Sequence, residues 1–272
     1  MKILFCGDVV GKSGRDVIQK WIPILRKKLH LDFVIVNGEN AAHGYGITKQ
    51  ICHDFYQAGV DVITTGNHVW DQKEIIAHIS EDAKLLRPLN FSAQIPGRGW
   101  TILENMRGKK LMVVNLMGQL FMESVNDPFH AMEDLLKTYK MGQNIHGVLV
   151  DIHAEASSEK VAMGHFLDGR ATLVVGTHTH IPTADHMILP QGTAYMTDVG
   201  MTGDYDSVIG MDKRAVVERF YKKIRLERLF PAEGNATLCG VFVESDEVTG
   251  LARKIFPIRI GGHLSQADPM AE

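Results

Sequence analysis

The chain has 272 residues, of which 45% are hydrophobic and 22% are charged, which is enough apolar material for one large domain or two small ones. Its formal net charge of −3 argues against general attraction to nucleic acid or to anionic membranes. The apolar runs are strand-sized, so we expect no membrane span, and Asp8 comes too early for a secretory leader. Cys6, Cys52 and Cys239 are scattered, which predicts reduced thiols in a cytoplasmic protein.

Short apolar runs alternate with amphipathic segments through the first two thirds of the chain. Residues 2–5 are predicted to form a strand, and residues 15–29 an amphipathic helix that Pro23 would kink. A second strand is predicted in FVIVNGEN and a third in VDVITTGNH. Between these strands, Thr48 is predicted to cap a helix that continues to Phe55.

Later strands are predicted in KLMVVNLMG (110–118), GVLVDIHAE (147–155) and ATLVVGTHTH (171–180), and then in AYMTDVG, LCGVFVES and ARKIFPIRI. Residues 90–99 are predicted to form a loop, and residues 268–272 a frayed tail. The early part indicates βαβ units and the later part antiparallel pairs, so we predict a mixed or two-sheet α/β fold in one domain, residues 1–272.

Candidate metal ligands follow five of the predicted strands, each after the same short interval. Sites in α/β sheets form beyond the carboxyl ends of the strands, so we expect these side chains to converge on one patch. The residues are Asp8, Glu39 with Asn40, Asn67 with His68, His153, and His178 with His180. In the THTH segment, alternate residues of an extended chain project to one side, which predicts that both of its histidines face the same site.

Oxygen and imidazole donors without thiolate favour manganese, iron, cobalt or zinc in a catalytic site over a closed structural zinc centre. One ion uses about three or four protein ligands, so this larger set predicts two ions. Ions about 3.5–4 Å apart and bridged by a carboxylate, naturally Glu39, would activate water for in-line displacement at phosphorus. Each residue alone also fits an ordinary turn or a hydrogen-bonded core position, so the prediction depends on the joint spacing.

The stretch GKS at 11–13 resembles the end of a phosphate-binding P-loop. That pattern needs a glycine where this chain has Cys6, and Asp8 would bring a negative charge among the phosphates. We therefore interpret the stretch as a tight turn next to a metal ligand, which Gly7 permits. Contact between Lys12 and a substrate phosphate stays open.

With these residues assembled, the sequence resembles the calcineurin-like metallophosphoesterases, and most of all their YmdB-type branch of bacterial phosphodiesterases. The resemblance runs from GDVVGKSGRD and NGENAAHGYGIT through GNHVWD and DIHAE to GTHTH and YMTDVGMTG. Common members have Asp-x-His after the first strand and GDxxD after the second, where this chain has Val10 and the residues Gly38, Glu39 and Asn40. In the YmdB-type branch these departures are the rule.

The resemblance implies a calcineurin-like fold, an α-β-β-α sandwich of two mixed β-sheets packed face to face and flanked by helices. It implies a first ion held by Asp8, Glu39, Asn40 and His180, and a second held by Glu39, Asn67, His153 and His178. Iron and manganese are the expected metals, with zinc or cobalt as alternatives. A hydroxide between the ions would attack the phosphorus, and His68 would donate a proton to the leaving oxygen. Orientation of a ligand or of the phosphate is the alternative role for His68.

The expected function is hydrolysis of small phosphodiesters, for which the branch suggests 2′,3′-cyclic nucleotides. His43 and Tyr45 lie near Glu39 in the sequence and are candidates for lining the substrate pocket, whereas Asp198 matches the branch without an assigned role. A phosphomonoesterase or 5′-nucleotidase on the same site, and a regulatory protein acting through a partner, stay open as alternatives. We expect no strong binding to nucleic acid. We also expect a homo-oligomer, because most soluble oligomers are homo-oligomers.

Overall fold

Strands and helices alternate along the chain in a computed structural model that describes residues 1–223 and 229–269. In chain order the elements are β1 (Lys2–Cys6), α1 (Gly11–Leu29), β2 (Phe33–Asn37), α2 (Lys49–Ala58), β3 (Val62–Thr64), α3 (Ile75–Glu81), β4 (Trp100–Glu104), β5 (Lys110–Met117), α4 (Pro128–Thr138), β6 (Gly147–His153), α5 (Ser157–Phe166), β7 (Leu173–Thr177), β8 (Met187–Ile188), β9 (Ala194–Met196), β10 (Gly203–Asp204), α6 (Lys213–Lys222), β11 (Ala236–Ser245) and β12 (Ala252–Ile260). Of the predicted tail, residues 270–272 lie outside the described residues.

The strands form two six-stranded sheets. The first has the order β10-β11-β1-β2-β3, with β12 paired to β11; β1, β2 and β3 are parallel, and the pairings of β11 are antiparallel. The second has the order β4-β5-β6-β7-β9-β8, in which the four inner strands are parallel and the two edge strands antiparallel. Both sheets are therefore mixed, as the resemblance implied.

Alternation of side chains along the strands builds the layers of the fold. In β1, Ile3 and Phe5 belong to an apolar cluster shared with the second sheet, whereas Leu4 and Cys6 pack in a cluster with helices α1, α2 and α3. A third cluster joins the other face of the second sheet to helices α4 and α5. The result is the predicted α-β-β-α sandwich. Among the described helices, none combines the length and the apolar character that a bilayer span requires.

The first helix starts earlier than predicted. It begins at Gly11 instead of residue 15, and it is continuous to Leu29 with Pro23 inside its span. The predicted cap of α2 is confirmed, because the side chain of Thr48 accepts a hydrogen bond from the backbone N–H of Ile51 at 3.3 Å. Residues 90–99 form the predicted loop. The three cysteines are buried and free.

Candidate metal centre

The carboxyl ends of β1, β2 and β3 in one sheet meet those of β6 and β7 in the other. The residues that follow these strands come within a few ångströms of one another: His153 Nε2 lies 3.1 Å from Glu39 Oε1, and His153 Nδ1 lies 3.7 Å from Asp8 Oδ1. All three side chains are at most 1% exposed. The convergence expected from the strand ends is thus present, and it draws on both sheets.

One group of candidate ligands comprises Glu39, His153 and His178, whose ligand atoms all lie within 4.8 Å of one another. His153 Nε2 lies 3.1 Å from His178 Nδ1 and 2.9 Å from the side-chain oxygen of Asn67. A carboxylate, an amide oxygen and two imidazole nitrogens therefore point at one small volume. This is a donor set that suits a divalent transition metal.

A second group comprises Asp8, Glu39 and His180, again within 4.8 Å, so Glu39 belongs to both groups. Among the described residues, Asp8 Oδ1 and Asn40 Oδ1 are buried oxygens without a hydrogen-bond partner. The amide nitrogen of Asn40 donates to the Gly44 carbonyl at 3.0 Å, which leaves that amide oxygen for another partner. Buried polar atoms are rarely left unpaired, and a cation at this position would satisfy both oxygens.

The outer nitrogens of two histidines are held by protein groups, which fixes the rings and their tautomers. His180 Nδ1 lies 2.8 Å from the Ile209 carbonyl oxygen and donates to it, so Nε2 is the nitrogen left for another partner. His153 Nδ1 lies 2.9 Å from the hydroxyl of Thr177, which itself donates to Asp151 at 2.7 Å. The hydroxyl therefore accepts from His153 Nδ1, and Nε2 is the nitrogen that faces the other candidate ligands. Such outer contacts are typical of metal-binding histidines.

The backbone of the THTH segment differs from the extended conformation that we predicted. Strand β7 ends at Thr177, and His178 and His180 have φ angles of 95° and 67°. Strand alternation is therefore not the reason why both rings reach the site. The two left-handed residues bend the chain sharply, so that each ring contributes to a different ligand group. Positive φ at a residue other than glycine costs about 1–3 kcal/mol, so surrounding contacts must hold this turn.

Asp198, which had no assigned role, supplies those contacts. Its Oδ2 accepts from the backbone N–H and the hydroxyl of Thr179, at 3.2 and 2.7 Å. The same oxygen accepts from Lys160 Nζ at 2.8 Å, and Oδ1 accepts from the Gly200 backbone at 2.8 Å. Asp198 and Lys160 are 0% and 1% exposed. This buried ion pair fixes the residue between the two histidines.

Titratable groups in the site are strongly perturbed. Burial alone would raise the pKa of Glu39, but His153 and the other neighbouring histidines lower it to about 2. Burial alone would lower the pKa of His153, but Glu39 and other carboxylates raise it to about 9. Burial lowers the pKa of His178 to about 3, and it raises the pKa of Asp8. Perturbed groups of this kind, clustered at one place, are typical of functional sites.

His68 lies at the rim of this cluster, and its side chain is 30% exposed. Its backbone N–H donates to Glu39 Oε2 at 3.2 Å, and its ring Nδ1 lies 2.9 Å from Asp71 Oδ2. The ring also packs edge-to-face against Tyr45, with centroids 5.2 Å apart. Asp71 was not singled out from the sequence, although its position three residues after His68 in GNHVWD was a usable signal.

Gly66, which precedes Asn67, makes room for the site. A Cβ atom at this position would lie 2.2 Å from His153 Cδ2 and 2.4 Å from Glu39 Oε2. Both distances are far below van der Waals contact. The glycine of the GNH motif is therefore required by the close approach of the backbone to two candidate ligands.

The loop before α1 does not cradle phosphate. The backbone N–H groups of Val9, Val10 and Gly11 donate to carbonyl oxygens elsewhere in the protein, at 2.9–3.0 Å. A P-loop instead directs such groups at its ligand. Lys12 forms an exposed ion pair with Asp16. The structure therefore supports the interpretation of this stretch as a turn.

A cavity of about 720 Å³ opens beside the candidate ligands. Glu39, His68 and Tyr45 are among the residues that line it, together with Val208, Ile209, Met211 and part of helix α6. Of the two residues proposed to contact substrate, Tyr45 therefore borders the cavity. His43 is exposed and is not among the described residues that line it.

Several known proteins are similar to this chain. The family model described as YmdB-like protein matches residues 4–258. The chain belongs to the YmdB-like family. It is 48% identical over 260 residues to the 2′,3′-cyclic-nucleotide 2′-phosphodiesterase of Bacillus subtilis, which covers 96% of this chain and 97% of that protein. It is 38% identical over 271 residues to a putative phosphatase/phosphodiesterase of Mycoplasma genitalium, with 96% and 93% covered.

Solved structures confirm the fold of this YmdB-like chain. A hypothetical protein from Thermus thermophilus superposes with a TM-score of 0.89 at 41% identity, covering 97% of this chain and 100% of that one. A phosphatase from Mycoplasma pneumoniae superposes with a TM-score of 0.89 at 36% identity, covering 99% and 95%. The predicted metallophosphoesterase sandwich is therefore correct.

Proposed function

We propose that this chain is a phosphodiesterase that uses two divalent metal ions and acts on small phosphodiesters, in particular 2′,3′-cyclic nucleotides. Its relatives identify it as a hydrolase of phosphoric esters, and its family implies divalent metal ions. The observation that carries the two-ion proposal is the sharing of Glu39 by two ligand groups, next to the unpaired buried oxygens of Asp8 and Asn40.

The donor set fits two ions of the manganese or iron type. Asp8, Asn40 and His180 would complete one coordination shell around Glu39, and Asn67, His153 and His178 the other. Ions bound there would supply Lewis acidity towards the phosphodiester and lower the pKa of a water molecule. Oxygen and imidazole donors without thiolate favour these metals, with zinc and cobalt as alternatives.

The protein's own contribution to bond cleavage is positioning and proton donation. Asp71 accepts from Nδ1 of His68 and fixes the ring, so Nε2 is the nitrogen that remains for the substrate. In the imidazolium form, Nε2–H would protonate the leaving ribose oxygen, which is a poor leaving group without a proton. Tyr45 packs against the ring and limits its rotation.

The proposal is tested by metal analysis of the purified protein, followed by turnover of adenosine 2′,3′-cyclic phosphate. Asn67→Ala and His178→Ala are expected to lose metal and turnover together, because each removes a ligand. His68→Ala is expected to keep its metal and lose turnover by about 10²–10⁴-fold, the usual range for a general acid. Full activity of His68→Ala on this substrate, which has a poor leaving group, would show that His68 is not the proton donor.

A phosphomonoesterase on the same site is the second candidate function. It is favoured by the relatives from Mycoplasma, which are described as a phosphatase or as a putative phosphatase/phosphodiesterase. The candidate ligands serve both reactions, so the comparison must be made on substrates. Faster turnover of adenosine 3′- or 5′-monophosphate than of the cyclic ester would replace the phosphodiesterase proposal by this one.

A further inference from the structure

The cavity extends beyond the candidate ligands to one face of helix α6. Val216, Arg219, Phe220 and Lys223 line this end. A spacing of three and four residues places Val216, Arg219 and Phe220 on one side of the helix, and Lys223 follows directly after the helix ends. This part of the cavity wall therefore combines two apolar side chains with two cations.

Within residues 1–223 and 229–269, the two cations on this wall have no anionic partner. Among the described residues, no ion pair or side-chain hydrogen bond involves Arg219 or Lys223. Two other basic residues of α6 do have partners: Lys213 pairs with Asp206, and Lys222 pairs with Glu218. Arg219 and Lys223 thus bring two unpaired charges to the border of the cavity, which favours an anionic ligand there.

The apolar part of the wall suits a planar ring. Phe220 is 67% exposed although it borders a cavity, and Ile209, another lining residue, is 50% exposed. Aromatic side chains of this kind stack on nucleobases without strong preference for the base. The backbone oxygen of Ile209 also holds His180 Nδ1, so the apolar wall is connected directly to the candidate ligands.

The cavity offers two separate places for negatively charged groups of a ligand. The phosphodiester under attack belongs at the end with Glu39, where ions would neutralise it, so Arg219 and Lys223 are not needed for that group. A volume of about 720 Å³ leaves room for more than one phosphate and a base, since pockets for ligands of this size span about 300–1,000 Å³.

We propose that the cavity takes nucleotides with a second phosphate. The 2′,3′-cyclic phosphate lies at the candidate ligands, the base lies against Phe220, and a phosphate on the 5′ oxygen lies beside Arg219 and Lys223. This inference rests on the proposed function. The second phosphate is either a terminal 5′-phosphate or the link to a preceding nucleotide, as at the end of a short RNA fragment.

The test compares kcat/KM of the manganese-loaded protein for adenosine 2′,3′-cyclic phosphate, its 5′-phosphorylated form and a dinucleotide ending in the cyclic phosphate. The second phosphate is expected to raise kcat/KM by at least about tenfold, the effect of one charged hydrogen bond. In the double variant Arg219→Gln/Lys223→Gln the ratio is expected to fall to about one. Arg214→Gln, on the same helix but outside the cavity lining, is the matched control and keeps the wild-type ratio.

A gain with the dinucleotide alone would identify the linking phosphate as the recognised group, and a gain with both substrates would identify phosphate in either form. A wild-type ratio near one, or an unchanged ratio in the double variant, would overturn the inference. Phe220→Ala is expected to weaken binding of each nucleotide several-fold, and an unchanged affinity would refute the base contact.

Inhibition by products gives a readout that does not depend on turnover of a cyclic ester. Adenosine 3′,5′-bisphosphate is expected to bind about tenfold more tightly than adenosine 3′-monophosphate, and the double variant is expected to lose this difference. If cyclic esters are not hydrolysed at all, the proposed function fails. The comparison of the two products, followed by calorimetry, then still decides whether α6 recognises a second phosphate.

Discussion

Replacement of Asp198 by asparagine is expected to destabilise the protein strongly. The change keeps the shape of the side chain but removes the charge that compensates Lys160, and both side chains are almost fully buried. Removal of one partner of a buried ion pair costs about 3–5 kcal/mol, because the other charge remains in a medium of low polarity. For a chain of this size that corresponds to a fall in Tm of roughly 5–9 °C.

The measurement is thermal unfolding followed by circular dichroism, with and without a chelator, so that a loss of metal affinity is separated from the loss of the ion pair. Asp134→Asn is the matched control, because Asp134 pairs with Lys137 at an exposed position of α4. This control is expected to melt at the wild-type temperature. The double variant Lys160→Met/Asp198→Asn is expected to melt above Asp198→Asn, since it leaves no uncompensated charge.

Two results would contradict this reasoning. One is a melting temperature of Asp198→Asn equal to that of Asp134→Asn in the presence of chelator. The other is a double variant whose loss of stability relative to wild type equals the sum of the losses in Lys160→Met and Asp198→Asn, which would mean that Lys160 and Asp198 do not interact. Both outcomes would also remove the explanation for the left-handed turn at His178 and His180.

Three further predictions concern the site. Gly66→Ala is expected to fold but to bind less metal, because the new Cβ displaces His153 and Glu39; a metal content equal to wild type would refute the steric argument. Asp71→Asn is expected to lower kcat by about 10–100-fold with metal content unchanged, and by less on a p-nitrophenyl ester, whose leaving group needs no proton; an equal loss on both esters would exclude a role through His68. Chelation is expected to lower Tm by roughly 5–10 °C, and manganese at about 100 times its Kd is expected to restore it; an unchanged Tm would argue against ions at the unpaired oxygens.

Much of the site was predictable because its residues follow parallel strands. Parallel strands of one sheet end at the same edge, so Asp8, Glu39 and Asn67 could be expected to meet, and His153 and His178 likewise. The sequence pattern alone did not show that these strands belong to two different sheets facing each other. That arrangement followed from the resemblance to metallophosphoesterases, and the structure agrees with it.

The groups that support the site were not predictable in the same way. Lys160 and Asp198 come from a helix and a later loop, 38 residues apart, and neither segment has a local pattern that indicates the other. The left-handed conformation of the THTH histidines depends on this pair, so strand alternation was the wrong model for them. Helix α6 looks like an ordinary amphipathic surface helix until the structure places one of its faces against the cavity.

Each of the two ligand groups combines side chains from opposite halves of the sandwich. The distances between the candidate ligand atoms therefore depend on the size of the apolar side chains between the sheets, among them Ile3 and Phe5. Larger or smaller side chains at these interior positions would change the distances between the candidate ligand atoms, and with them the affinity for metal, without any change in a ligand residue. A substitution in the interior of the molecule, far from any surface that a substrate would touch, is thus expected to alter the affinity of the candidate centre for metal.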